Sequence, residues 1–91
     1  MELGMLIKVY GKDNCKDCSW QKASMKAFFN PSEWTFIDGE NGIGKLEADK
    51  LDIKILPAIV VLNDAGVPII IKEGKIAAQE LKKEIFHLKV K

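Results

Sequence analysis

The segment from Ala58 to Gly66 does most to limit the folds open to this chain. Ala58-Ile59-Val60-Val61-Leu62 is a short, unbroken apolar run of β-formers, and Asn63-Asp64-Ala65-Gly66 follows it as a hairpin turn signal. Val67 to Ile71 then reads as the returning strand. Pro68 has no N–H to give to a second neighbour, so that strand belongs at a sheet edge. An antiparallel pair with a defined outer edge is therefore written into the second half of the chain.

The first half has a different rhythm. Met5 to Tyr10 reads as a buried strand, and Gly11 to Asn14 as a turn. A helix is expected from about Cys15 to Phe29, stopping before Asn30-Pro31. Asn14 is the expected N-cap, with Asp17 as a capping-box partner. On a helical wheel Trp20, Ala23, Ser24, Ala27 and Phe28 form one stripe, the expected core face, with Ser19, Lys22 and Lys26 opposite. Trp34 to Ile37 is a short second strand, and a short helix is expected over about Ile43 to Asp52. After Glu73-Gly74-Lys75 a final helix carries Ala77, Ala78, Leu81, Ile85 and Leu88 as its apolar stripe. The order is β-α-β-α-β-β-α. Strands separated by helices imply parallel pairing, so a four-stranded mixed sheet with helices on both faces is expected, as a single domain over residues 1–91.

The only cysteines are Cys15 and Cys18, at the head of the first helix. That spacing can close a small disulfide ring. A thiolate at a helix N-terminus is favoured by unpaired N–H groups and the helix dipole. Lys12 and Lys16 push in the same direction and Asp17 against it. Cys15 is thus the expected nucleophile. Cys18, one turn deeper, is the expected resolving thiol, attacking a mixed disulfide on Cys15. The competing readings are a structural disulfide and half of a zinc site, for which only His87 remains as a further nitrogen ligand. His87 falls on the polar side of the last helix and reads as a solvated residue. Trp20 reads as core, and Trp34 as either core or substrate contact. Asp17 reads as either a capping residue or a tuner of the thiols.

Composition excludes other classes. All 14 basic residues are lysines, and the net charge is only +1. Without arginine forks a nucleic-acid partner is not expected. The longest apolar run is too short to cross a bilayer, and the first residues do not read as a signal peptide. A cytoplasmic setting is expected, where paired cysteines tend to be catalytic or metal-binding. A monomer is the default.

The block Val9-Tyr10-Gly11-Lys12-Asp13-Asn14-Cys15-Lys16-Asp17-Cys18 resembles the glutaredoxin-type strand, turn and motif. The block Ile53-Lys54-Ile55-Leu56-Pro57-Ala58-Ile59-Val60-Val61-Leu62 resembles the segment that holds the cis-proline of the thioredoxin/glutaredoxin superfamily. The resemblance runs over nearly the whole chain. It implies the thioredoxin fold, with Pro57 in cis beside the cysteines and the Leu56 backbone pairing with an extended substrate. It further implies a thiol–disulfide oxidoreductase acting on disulfide-containing proteins, with no bound cofactor and electrons from thioredoxin reductase and NADPH or from glutathione. Lys12 and the Leu56-Pro57 backbone match family substrate contacts. The acidic pair of glutathione-binding members is missing from Gly74-Lys75-Ile76-Ala77-Ala78, and Lys16-Asp17 follows neither main subfamily. A glutathione-dependent glutaredoxin and a non-catalytic binding module are therefore the alternatives.

Overall fold

The hairpin turn forms as its residues dictate. Asn63 Oδ1 accepts the Ala65 and Val67 N–H groups, both at 3.0 Å, and Gly66 takes the left-handed φ of 79° that the turn requires. The computed structural model describes residues 6–89. The elements are β1 (Leu6–Gly11), α1 (Lys16–Phe28), β2 (Trp34–Asp38), α2 (Gly42–Lys50), β3 (Ala58–Leu62), β4 (Pro68–Glu73) and α3 (Ala78–Lys89), in the order read from the sequence. Met5, expected to open the first strand, lies outside the described residues. Among the described residues no helix is long and apolar enough to cross a membrane.

The spatial strand order is β2-β1-β3-β4. β1 runs parallel to β2 and antiparallel to β3, and β3 and β4 pair antiparallel. Pro68 therefore sits on an edge strand, opposite Leu62. Strand alternation divides the core in two. Ile7, Val9, Ile59 and Val61 face α1 and α3, meeting Met25, Phe29, Leu81 and Ile85. Tyr10, Ala58 and Val60 face the other way, meeting Ala48 of α2 and Ile53. Helices thus cover both faces. α2 is drawn close to the end of β2: a Cβ on Gly44 would overlap the Asp38 carbonyl oxygen.

The structure corrects three expectations. Asn14 is not the N-cap; it takes a left-handed φ of 54°, which asparagine tolerates, and Cys15 caps α1. The core face of α1 is not the Trp20 stripe. Trp20 and Phe28 are each 42% exposed and Ala23 and Ala27 are exposed, while Cys18, Gln21 and Met25 are buried, with Phe29 following. The rotation follows from Gln21, a polar residue that finds partners inside the protein. In α3, Ala78, Leu81 and Ile85 are buried as expected, but Leu88, in the last turn, is exposed. His87 is exposed, and the half-buried Trp34 packs against the first core.

Candidate active site

β1 ends at Gly11, the chain turns through Lys12–Asn14, and Cys15 caps the helix with its own sulfur. Cys15 Sγ accepts the Cys18 N–H at 3.1 Å, filling one of the donors left open by the first turn. The two cysteines are joined in a disulfide, with Cα atoms 5.2 Å apart. They are not equivalent. Cys15 is half-buried, whereas Cys18 is 2% exposed. A Cβ placed on Gly11 would lie 3.2 Å from Cys18 Sγ and 2.7 Å from the Phe36 ring. Gly11 thus lets the inner sulfur and an aromatic ring close over the end of β1.

The second block arrives from the neighbouring strand. Tyr10 pairs with Ala58, so one step along the antiparallel register Pro57 lies across from Gly11. The Leu56–Pro57 peptide is cis and Pro57 is buried. The Pro57 carbonyl accepts the Gly74 N–H at 2.8 Å. Leu56 is half-buried, and its backbone N–H and C=O have no hydrogen-bond partner among the described residues. The structure therefore brings Cys15, Cys18 and Pro57 to one end of the sheet, with an open backbone position beside them.

The charges expected near the thiols pair with other side chains. Lys12 lies at the exposed rim with its Nζ 4.0 Å from the Glu40 carboxylate. Asp17 caps nothing; it sits 3.5 Å from Lys75, whose ammonium is 5.1 Å from the centre of the Trp20 ring. These exposed pairs hold side chains in place weakly. Lys75 nevertheless offsets the negative field that Asp17 would otherwise set against a Cys15 thiolate.

Two features went unread in the sequence. Gln21 is fully buried and bonds both ends of its amide to the backbone of Ile76. On the opposite face of the sheet, the Tyr10 hydroxyl donates to Glu47 at 2.8 Å and Lys8 donates to the same oxygen at 3.3 Å. The Tyr10 hydrogen bond, with help from Lys8, holds the Glu47 carboxyl below its usual range against a smaller effect of burial. Burial, then Glu47 itself, pushes the Tyr10 phenol well above its ordinary value. Glu47 gave no sign in the sequence beyond its place on a short helix. Gln21 gave one only in its spacing, three residues after Cys18.

No family model matches this chain, and no curated protein matches it. Solved structures do. Thioredoxin from Fasciola hepatica is similar with a TM-score of 0.73 at 16% identity, over 91% of this chain and 79% of that one. A mutant thioredoxin from Halobacterium salinarum gives 0.75 at 17% identity, over 90% and 72% respectively. The oxidised form of mitochondrial thioredoxin 3 from Saccharomyces cerevisiae gives 0.67 at 18% identity, over 92% and 78%. At these identities the likeness speaks for architecture alone: the chain has the thioredoxin fold, with a Cys-x-x-Cys disulfide at the head of α1.

Proposed function

We propose that this chain is a thiol–disulfide oxidoreductase that reduces protein disulfides and cycles through a Cys15–Cys18 bridge. The observation that carries the reading is the inequality of the pair. Cys15 is the accessible sulfur at the helix cap, receiving a backbone N–H, and Cys18 is enclosed against Gly11. In the reduced protein the Cys15 thiolate attacks one sulfur of a substrate disulfide. A mixed disulfide forms, the substrate bond breaks, and one substrate sulfur leaves as thiolate. Cys18 then loses its proton and attacks Cys15, the mixed disulfide breaks, and the second substrate sulfur leaves. Two electrons have passed to the substrate, and protons from the two protein thiols balance its two new thiols.

An extended substrate segment is held by the open Leu56 backbone beside Pro57, in the manner of strand addition. Lys12, at the rim, contacts substrate. The bridge reopens with two electrons from NADPH through thioredoxin reductase, or from two glutathione molecules that leave as glutathione disulfide.

The test is insulin-disulfide reduction by wild type and Cys15→Ser, with dithiothreitol as reductant. Wild type accelerates the reaction above background and Cys15→Ser does not; equal acceleration by both would remove Cys15 as nucleophile. Supplying the bridged form separately with thioredoxin reductase plus NADPH and with glutathione identifies the electron source.

A further inference from the structure

Gln21 lies three residues after Cys18 on the buried face of α1 and is 0% exposed, the buried polar side chain among the described residues. An amide enclosed without partners opposes folding. Gln21 avoids this by bonding a single residue twice. Its Nε2 donates to the Ile76 carbonyl at 2.9 Å, and its Oε1 accepts the Ile76 N–H at 2.8 Å. This is the reciprocal exchange of two antiparallel strands, made here by a side chain. Ile76 belongs to the irregular segment between β4 and α3. Two residues earlier Gly74, at a left-handed φ of 86°, donates its N–H to the Pro57 carbonyl. A continuous path results: Cys18, one turn of helix, Gln21, Ile76, Gly74, Pro57.

We propose that Gln21 is a positioning residue. It ties the Leu56–Pro57 segment to the helix that carries the cysteines, so the attacking thiol and the substrate-pairing backbone keep one spacing. The inference rests on the reading of Leu56–Pro57 as the substrate-pairing segment. An apolar residue at position 21 would fill the same volume but leave both polar groups of Ile76 unpaired, and the segment would shift to recover partners. The next anchor along α1 has a separate job. Ser24 Oγ accepts the Ala78 N–H at 3.0 Å, holding the start of α3 two residues after Ile76, whereas Gly74 lies two residues before it.

The experiment compares Gln21→Met, Gln21→Glu and Ser24→Ala by amide hydrogen exchange and by two assays. One assay follows a protein disulfide, and the other a small aromatic disulfide that needs no strand pairing. Gln21→Met is expected to speed exchange at Gly74 by about tenfold or more. It raises KM for the protein disulfide by roughly three- to tenfold and leaves the small-disulfide rate within about twofold. Ser24→Ala speeds exchange at Ala78 and leaves Gly74 exchange and KM within about twofold. If Gln21→Met does not fold, Gln21→Glu carries the same expectation at about tenfold or more, because its carboxylate still accepts the Ile76 N–H but sets a buried charge and a second acceptor against the Ile76 carbonyl. Unchanged Gly74 exchange in a folded Gln21 variant overturns the proposal, as does an unchanged KM or an equal slowing of both reactions. A wild type that reduces no protein disulfide removes the functional reading and its KM expectation. The exchange result then decides by itself whether Gln21 holds Pro57 in place.

Discussion

Gly11→Ala tests how tightly the end of β1 is closed around the inner cysteine. The backbone of Gly11 lies outside the left-handed region, so the substitution acts through its added methyl group. That carbon would lie 2.7 Å from Phe36 Cε1 and Cζ and 3.2 Å from Cys18 Sγ. Ordinary carbon contacts fall at about 3.5–4.0 Å, so the ring is closer by about 1 Å than it can stay. Phe36 is half-buried on an edge strand and can swing outward, at the expense of the Lys22 ammonium 4.4 Å from its centre. Overpacking of this kind costs about 1–3 kcal/mol, and restricting the unfolded chain returns about 0.4–1 kcal/mol. The net loss is about 1–2 kcal/mol, a fall in Tm of about 5–15 °C for a domain of this size. Thermal unfolding by circular dichroism, on reduced and bridged protein, measures it. Adding Phe36→Leu to Gly11→Ala should recover about 1 kcal/mol of the loss as coupling between the two sites. Wild-type stability in Gly11→Ala, or strict additivity in the double variant, would refute the packing argument.

Tyr10→Phe removes the donor that does most to hold the Glu47 carboxyl below its usual range. Glu47 shares its charge with Lys8 and remains partly open to water, so the cost at neutral pH is about 1 kcal/mol, read by urea denaturation. A carboxyl held below its usual range stabilises the fold fully above its unfolded pKa of about 4.3 and loses that contribution as pH falls through the folded value. The gap between wild type and Tyr10→Phe should therefore narrow below about pH 4; a gap that widens there contradicts the assignment. Met25→Ala, at a fully buried position in the core between α1, α3 and the sheet, should cost about 2–5 kcal/mol in the same denaturation experiment. A cost below about 1 kcal/mol would mean that the core there closes over the cavity.

Much of the architecture was legible because it rests on local patterns. Ala58–Leu62, the Asn63–Gly66 turn and Pro68 define a hairpin with an outer edge whatever surrounds them, and the described strands follow that reading closely. The cysteines, too, could be ranked from position alone, since helix geometry makes Cys15 outer and Cys18 inner. The face of α1 could not be read this way. Hydropathy favours Trp20, Ala27 and Phe28, yet the helix buries Gln21 in their place. What makes Gln21 acceptable inside is a backbone 55 residues away, and no window along the chain contains both. The capping residue escaped for a related reason. Asparagine and cysteine can each accept an N–H at a helix start, and the left-handed turn at Asn14 gives that place to Cys15.

By itself the sequence determined which segments are strands and helices, where the hairpin turns, and that two thiols share the first turn of one helix. Those properties depend on residues within a few positions of one another. Only the tertiary structure decided what meets those thiols. The β1–β3 register brings Pro57 across from Gly11, the Phe36 ring and the Cys18 sulfur close over Gly11, and Gln21 and Gly74 link α1 to the Pro57 segment. These contacts join parts of the chain far apart in sequence, and each exists because sheet pairing or the packing of α1 on the sheet sets a distance that a side chain or a backbone N–H happens to span.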